Sequence, residues 1–305
     1  MDRRRPLLSN GGELRVDAAL SEALSGHGAK LDRKVRVASA LDINGSSLSD
    51  EDFAYALKAE FDFVVSSGTE RMPHFAVEFD GAQHLTDPTT IRRDRQKERI
   101  CRSLGLPLLR IGVEALSQRR KRTILAWLVD VFYLAESFYE QQERGAIPPD
   151  EPFMYFSVFE PQPGGGLGQS FALDQEARLA MVEAHAAGLA PTHVPEEVTT
   201  DTIRCESRPE VVESFALFEV RDSGFIIGRS SLRNFGYFPG VAAPELASDL
   251  AVADAGRYLR LYRMGRYRPT NLEGLARIRA RTKGWQRSGS PCTDLPFQFV
   301  DEAAV

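Results

Sequence analysis

EFDFVVSSGTERMPHFAVEFDGAQHLTDPTTIRRDRQKERICRSLGLPLLRIGV occupies positions 60–113. Two runs rich in aromatic and β-branched residues, Glu60–Val65 and His74–Phe79, flank the polar stretch SSGTERMP, a pattern that predicts an antiparallel hairpin. A cationic helix is predicted over Thr90–Gly105, with apolar Ile100 and Leu104 four apart and Gly105 as its stop. Leu106–Val113 then reads as an apolar strand. Working outward, Val16–Gly26 has helical spacing, Lys34–Ile43 alternates like a strand, and Ser49 followed by Asp50, Glu51 and Asp52 suits a helix start. The order helix, strand, helix, hairpin, helix, strand predicts an α/β core in which helices flank a mixed sheet.

Beyond this core, Ile124–Tyr139 carries a broad apolar stripe through Trp127, Leu128, Val131 and Phe132 and is expected to pack onto it. PQPGGGLGQ at 161–169 reads as a linker. The expected organisation is therefore a domain over 1–145 with its core at 34–113, a linker over 146–169 and an α+β accessory domain over 170–305. In the accessory domain, helices are expected at 173–188, 244–263 and 270–283, and strands at 214–220 and 225–237.

With 305 residues, 43% of them hydrophobic and 27% charged, the chain can bury a substantial core. No stretch supplies about 18 uninterrupted apolar residues, and the basic N-terminus lacks the apolar segment of a secretory leader. Three widely spaced cysteines, Cys101, Cys205 and Cys292, suggest neither a disulfide framework nor a zinc cluster. A cytoplasmic protein without membrane contact is expected. The net charge of −5 is unevenly spread, with excess positive charge concentrated in Ile91–Arg122 and Arg257–Arg287. Either block could serve as an anion-binding face or as an ordinary solvated helix face.

The chemistry-bearing feature is a set of acids on the hairpin. Side chains two apart on a strand share a face, so Glu78 and Asp80 point one way, and Asp62 on the partner strand can lie across from them. Three carboxylates gathered together require a cation, and oxygen ligands suit Mg2+ or Mn2+. Taken alone, acids at strand ends are as readily solubilising, loop-facing residues. Arg110, inside the apolar LLRI run, is expected to pair with one of the acids.

The motifs D-F-V, V-E-F-D-G-A-Q-H, D-R-Q-K-E-R-I-C-R-S-L-G and L-P-L-L-R-I, in this order, resemble the PD-(D/E)XK nuclease superfamily. The closer resemblance is to its very-short-patch-repair endonuclease-like branch, which includes many uncharacterised bacterial proteins. The resemblance covers about Lys34–Val113 and implies a restriction-endonuclease-like fold. It also implies a divalent-metal-dependent DNA endonuclease serving repair or defence. Asp62 and Glu78 match the acids of the first and second strands, and with Asp80 they form the implied metal site. Asp80, Gly81 and His84 match the branch's D-G-x-x-H turn, and Asp94 matches the acid of the next helix. The lysine of the superfamily's E-x-K motif is replaced here by Asp80, so His84, Gln83 and Lys97 are the candidates for orienting the attacking water. Arg92, Arg93, Arg95 and Arg99 on the cationic helix are expected to contact DNA phosphates. A nucleic-acid-binding module of the same fold without catalysis is the alternative.

In the C-terminal basic block, Tyr258, Tyr262, Tyr267 and Trp285 alternate with arginines. They could stack on single-stranded or distorted DNA, or pack while the arginines stay wet. The accessory domain could also recruit a protein partner.

Overall fold

A computed structural model describes residues 11–81, 87–161, 167–200 and 210–290. The chain divides into two compact units. One comprises Met1–Phe171, Pro209–Val211 and Leu232–Glu245, and the other Ala172–Arg208, Val212–Ser231 and Leu246–Val305. The division thus differs from a single cut at the linker, because two short segments from beyond position 200 belong to the first unit.

The first unit opens with α1 (Gly11–Leu24) and β1 (Lys30–Arg36), followed by α2 (Val37–Ala40), α3 (Asp50–Ala56), β2 (Glu60–Ser67) and β3 (Met72–Phe79). α4 (Pro88–Ser103) and β4 (Leu108–Ile111) complete the core. The sheet order is β1-β2-β3-β4, with β1, β2 and β3 antiparallel in turn and β4 parallel to β3. This is the predicted mixed sheet, with helix α4 making the crossover that parallel strands need. The expected strand at 34–43 lies earlier, at 30–36. After it the Val37 amide turns to donate to Ala59 O, and Leu41 N closes a helical turn on Val37 O.

Local signals explain the helix starts. Ser49 Oγ accepts from the Asp52 amide at the head of α3, and Asp87 Oδ2 accepts from the Thr90 amide ahead of Pro88 in α4. The hairpin's alternation sorts its residues onto two faces. Val64 and Ala76 pack with Ile100 and Cys101 of α4. Phe63, Phe75 and Val77 are fully buried, and the Phe75 ring lies 4.6 Å from that of Phe132.

Phe132 belongs to α5 (Ile124–Glu143), which follows the short hairpin of β5 (Gln118–Arg119) and β6 (Arg122–Thr123). β7 (Phe159–Pro161) and β8 (Leu167–Ser170) form another small hairpin. Phe238, from the returning segment 232–245, lies edge-on to Phe75 at 5.4 Å. Gly240, at φ 90°, admits this segment against α5, since a Cβ there would meet Val131 Cγ1 at 2.7 Å.

The second unit contains α6 (Gln175–Ala186), β9 (Glu196–Thr199) and all but the end residues of β10 (Val211–Val220) and β11 (Gly224–Arg233), Val211, Leu232 and Arg233 belonging to the first unit. The short pair β12 (Tyr237–Phe238) and β13 (Val241–Ala242) lies in the first unit's returning segment. α7 (Ala243–Arg263), α8 (Leu272–Arg281) and β14 (Gln286–Gly289) follow. Its sheet runs β11-β10-β9-β14. The predicted helices and the two long strands are present. β9 and β14 were not anticipated, being four residues each with no apolar alternation. No helix among the described residues is long and apolar enough to cross a membrane.

Candidate active site

The register Phe63↔Val77, extended by one pair, sets Asp62 beside Glu78 on the face that α4 covers. Contacts bear this out: the Asp62 amide donates to Glu78 Oε1 at 3.3 Å, and the Phe79 amide donates to Asp62 Oδ2 at 3.0 Å. From α4, Lys97 places its Nζ 2.8 Å from Glu78 Oε1 and donates to Glu60 O at 2.7 Å. Lys97 thus reaches into the strand ends, as one of the three candidates for orienting water must. Both side chains are nearly closed to solvent, at 10% and 9% exposed.

Burial pushes the Glu78 carboxyl up to about 7, against the pull of the Lys97 charge, with the nearby Asp62 charge adding to the rise. Burial works to lower the Lys97 ammonium, but the Glu78 carboxylate beside it outweighs that and leaves it raised.

A second lysine was not anticipated from the sequence. Lys34 Nζ stands 2.6 Å from Asp62 Oδ1 and 3.1 Å from Glu13 Oε1, joining an acid of α1 to the site. Lys34 adopts φ 52°, a left-handed conformation that costs an L-residue roughly 1–2 kcal/mol. Its neighbours in β1 pair on either side of it, Arg33 with Phe63 and Val35 with Phe61, so the irregularity falls opposite Asp62. No motif signals it.

Asp80 does not join this pair, and the expected trio of carboxylates is corrected on this point. Its carboxylate, 1% exposed, accepts from Arg110 Nε at 2.9 Å and from Arg110 Nη2 at 2.8 Å, and Arg233 Nε lies 2.8 Å from it. Asp94 on α4 closes on the same Arg110 at 2.5 Å, and Arg233 also faces Glu210 at 3.1 Å. Two guanidinium groups therefore hold Asp80 in a buried ionic cluster, which burial at this depth requires. The pairing expected for Arg110 is present. Among the described residues no group of three His, Cys, Asp or Glu side chains could hold a metal ion. His84 and Gln83 lie outside the described residues.

Two carboxylates remain together, Asp62 and Glu78. Magnesium typically keeps several waters and takes one or two carboxylates, with phosphate oxygens completing its shell. Asp62 and Glu78 supply that number, and each also has a lysine ammonium against it, Lys34 and Lys97.

The arginines of α4 lie on its exposed side, and four are paired: Arg92 with Glu51 at 2.6 Å, Arg95 with Glu210 at 3.2 Å, Arg99 with Asp52 at 3.0 Å and Arg102 with Glu98 at 2.9 Å. Arg93 is exposed. In the second unit, Tyr258, Tyr262 and Tyr267 pack against a buried cluster, and Tyr258 stacks on Tyr267 at 4.6 Å. Arg279 and Arg287 both bind Glu196. These tyrosines thus make packing contacts with their partly buried rings.

The first unit is accordingly an α/β protein whose mixed sheet presents a buried glutamate–lysine pair beside an aspartate. Residues 4–126 match a family described as Protein of unknown function (DUF2726), a match that spans under half of the chain. No curated protein and no solved structure matches the chain.

Proposed function

We propose that the first unit is a divalent-metal-dependent endonuclease of restriction-endonuclease-like fold that hydrolyses phosphodiester bonds of DNA in the cytoplasm. The observation that carries this reading is the convergence of Asp62, Glu78 and Lys97 at adjacent strand ends. Asp62 and Glu78 would hold Mg2+ or Mn2+. The bound ion supplies neutralisation of phosphate charge and a lowered pKa for the attacking water.

Lys97 has the geometry for the role left vacant by the missing E-x-K lysine. Two of its three N–H groups are engaged by Glu78 and Glu60, which leaves one to orient a water. Asp80, Arg110 and Asp94 tie the end of β3, two residues beyond Glu78, to β4 and α4. The paired arginines of α4 can exchange their carboxylate partners for DNA phosphates at little cost, since surface ion pairs are worth only about 0–1 kcal/mol.

Purified protein incubated with supercoiled plasmid and Mg2+ or Mn2+ is expected to relax or linearise it, and Asp62→Ala and Glu78→Ala to leave it intact. Wild type that leaves the plasmid untouched defeats the enzymatic reading. A second reading, DNA binding without cleavage, draws on the two lysines that already neutralise Asp62 and Glu78. Retarded plasmid or oligonucleotide with no strand scission would favour it.

A further inference from the structure

Within the first unit, an open pocket of about 380 Å³ is lined by His27, Arg122, Asp130, Tyr133, Leu134 and Phe171. This volume lies within the range of small-ligand sites. Two flat pairs frame it. The His27 imidazole lies on the Tyr133 ring at 4.2 Å and 15°, and the Arg122 guanidinium stands 5.0 Å over the Phe171 ring. Between them Asp130 Oδ1 meets His27 Nε2 at 2.9 Å, and Asp130 Oδ2 meets Arg122 Nη1 at 2.5 Å.

These three polar groups are 22–28% exposed, so solvent and solutes reach them. The Tyr133 hydroxyl is buried and has no hydrogen-bond partner among the described residues. Buried polar atoms are rarely left so, because each unmade bond costs stability. Asp130 itself is the one charged residue in the run Ile124–Ala135 of α5, with Val129 and Val131 buried on either side. Packing alone does not ask for it there.

We propose that this pocket receives a single unpaired guanine base, with the Asp130 carboxylate and the Arg122 guanidinium reading its edge and the flat groups stacking on its ring. Guanine's pairing edge carries one carbonyl acceptor followed by two N–H donors. A guanidinium beside a carboxylate presents the complementary donor and acceptors, and the Arg122–Asp130 pair is neutral overall, as the base is. Adenine and cytosine reverse this order and put a ring acceptor against the carboxylate. Thymine has one donor where guanine has two. Aromatic side chains and guanidinium planes are the surfaces on which splayed bases stack.

The chemistry is shared by a free nucleotide and by a base in single-stranded DNA. The test is calorimetric titration of the full-length protein in EDTA, which removes any contribution from a metal at Asp62 and Glu78. The titrants are dGMP, dAMP, dCMP and TMP, and then oligo-dT with and without one central dG. Binding of dGMP identifies the free nucleotide as the source, and binding confined to the dG-bearing strand identifies the chain. In either case guanine is expected to bind at least about tenfold more tightly than the other bases. Asp130→Asn, which keeps the shape but replaces an acceptor with a donor, is expected to remove that preference. Arg122→Gln decides the matter if Asp130→Asn fails to fold. The proposal is overturned by the absence of saturable guanine binding, by equal affinity for all four bases, or by unchanged affinity in the folded variants. None of these results depends on whether the protein cleaves DNA.

Discussion

Lys97 Nζ lies 2.8 Å from Glu78 Oε1, and neither side chain is more than one tenth exposed. Removing one member of such a pair leaves the other charge buried alone, which commonly costs about 3–5 kcal/mol. Lys97→Met is therefore expected to destabilise the protein by that order at pH 8, where Glu78 is ionised, and by less at pH 5, where it is protonated. Urea unfolding at the two pH values checks this, and equal losses would contradict it.

Glu78 also sets a pH dependence of its own. Its folded-state pKa, about 7, lies above the ordinary carboxylate value because of burial. The folded protein then holds a proton that the unfolded chain releases, so the Glu78 contribution to stability falls as pH rises from about 4.5 through about 7. Glu78→Gln is expected to flatten this part of the stability profile. Cleavage, which needs the ionised carboxylate for metal binding, is expected to rise over the same interval.

Asp80 and Asp62 are expected to separate structure from metal binding. Asp80→Asn weakens the charge cluster with Arg110 and Arg233 and should lower stability by about 3 kcal/mol. In protein that remains folded, Mn2+ affinity measured by calorimetry should be unchanged. Asp62→Asn should lose Mn2+ binding with the smaller effect on unfolding. The reverse pattern would return Asp80 to the metal.

The arginines of α4 predict a salt response. DNA affinity should fall with a log–log slope of about −0.9 per phosphate contact. Replacing Arg92, Arg95 and Arg99 together with alanine should make the slope shallower, measured by fluorescence anisotropy from 50 to about 200 mM salt. A slope that does not change would remove these residues from the DNA-binding face.

Gly12 gives a packing test close to the site. A Cβ at this buried position would meet Phe79 Cε1 at 2.1 Å, and the Phe79 amide is a donor to Asp62. Gly12→Ala is expected to cost about 1–3 kcal/mol as the ring is displaced, read as a lowered Tm. An unchanged Tm would show that the ring shifts freely.

Period-two alternation in 60–79 predicted the hairpin, and with it the cross-strand placement of Asp62 and Glu78. Lys97 was legible as a basic residue on the next helix. The Lys34–Glu13 connection was not legible, because it depends on one residue taking a left-handed backbone and on α1 packing beside the sheet. Asp80 was misplaced for a similar reason. Its two-residue spacing from Glu78 gives the face but not the partner, and Arg233 comes from a distant segment. The two-residue strands and β9 and β14 offer too few side chains for any period to register.

That distant segment bears on how the protein is made. Residues 232–245 bring Arg233 to Asp80 and Phe238 to Phe75, so the N-terminal core cannot acquire its final interior while only its own contiguous stretch has left the ribosome. Until position 238 emerges, the Arg233 contact with Asp80 and the Phe238 contact with Phe75 cannot form. Maturation of the core is thereby timed to synthesis of the chain's last third.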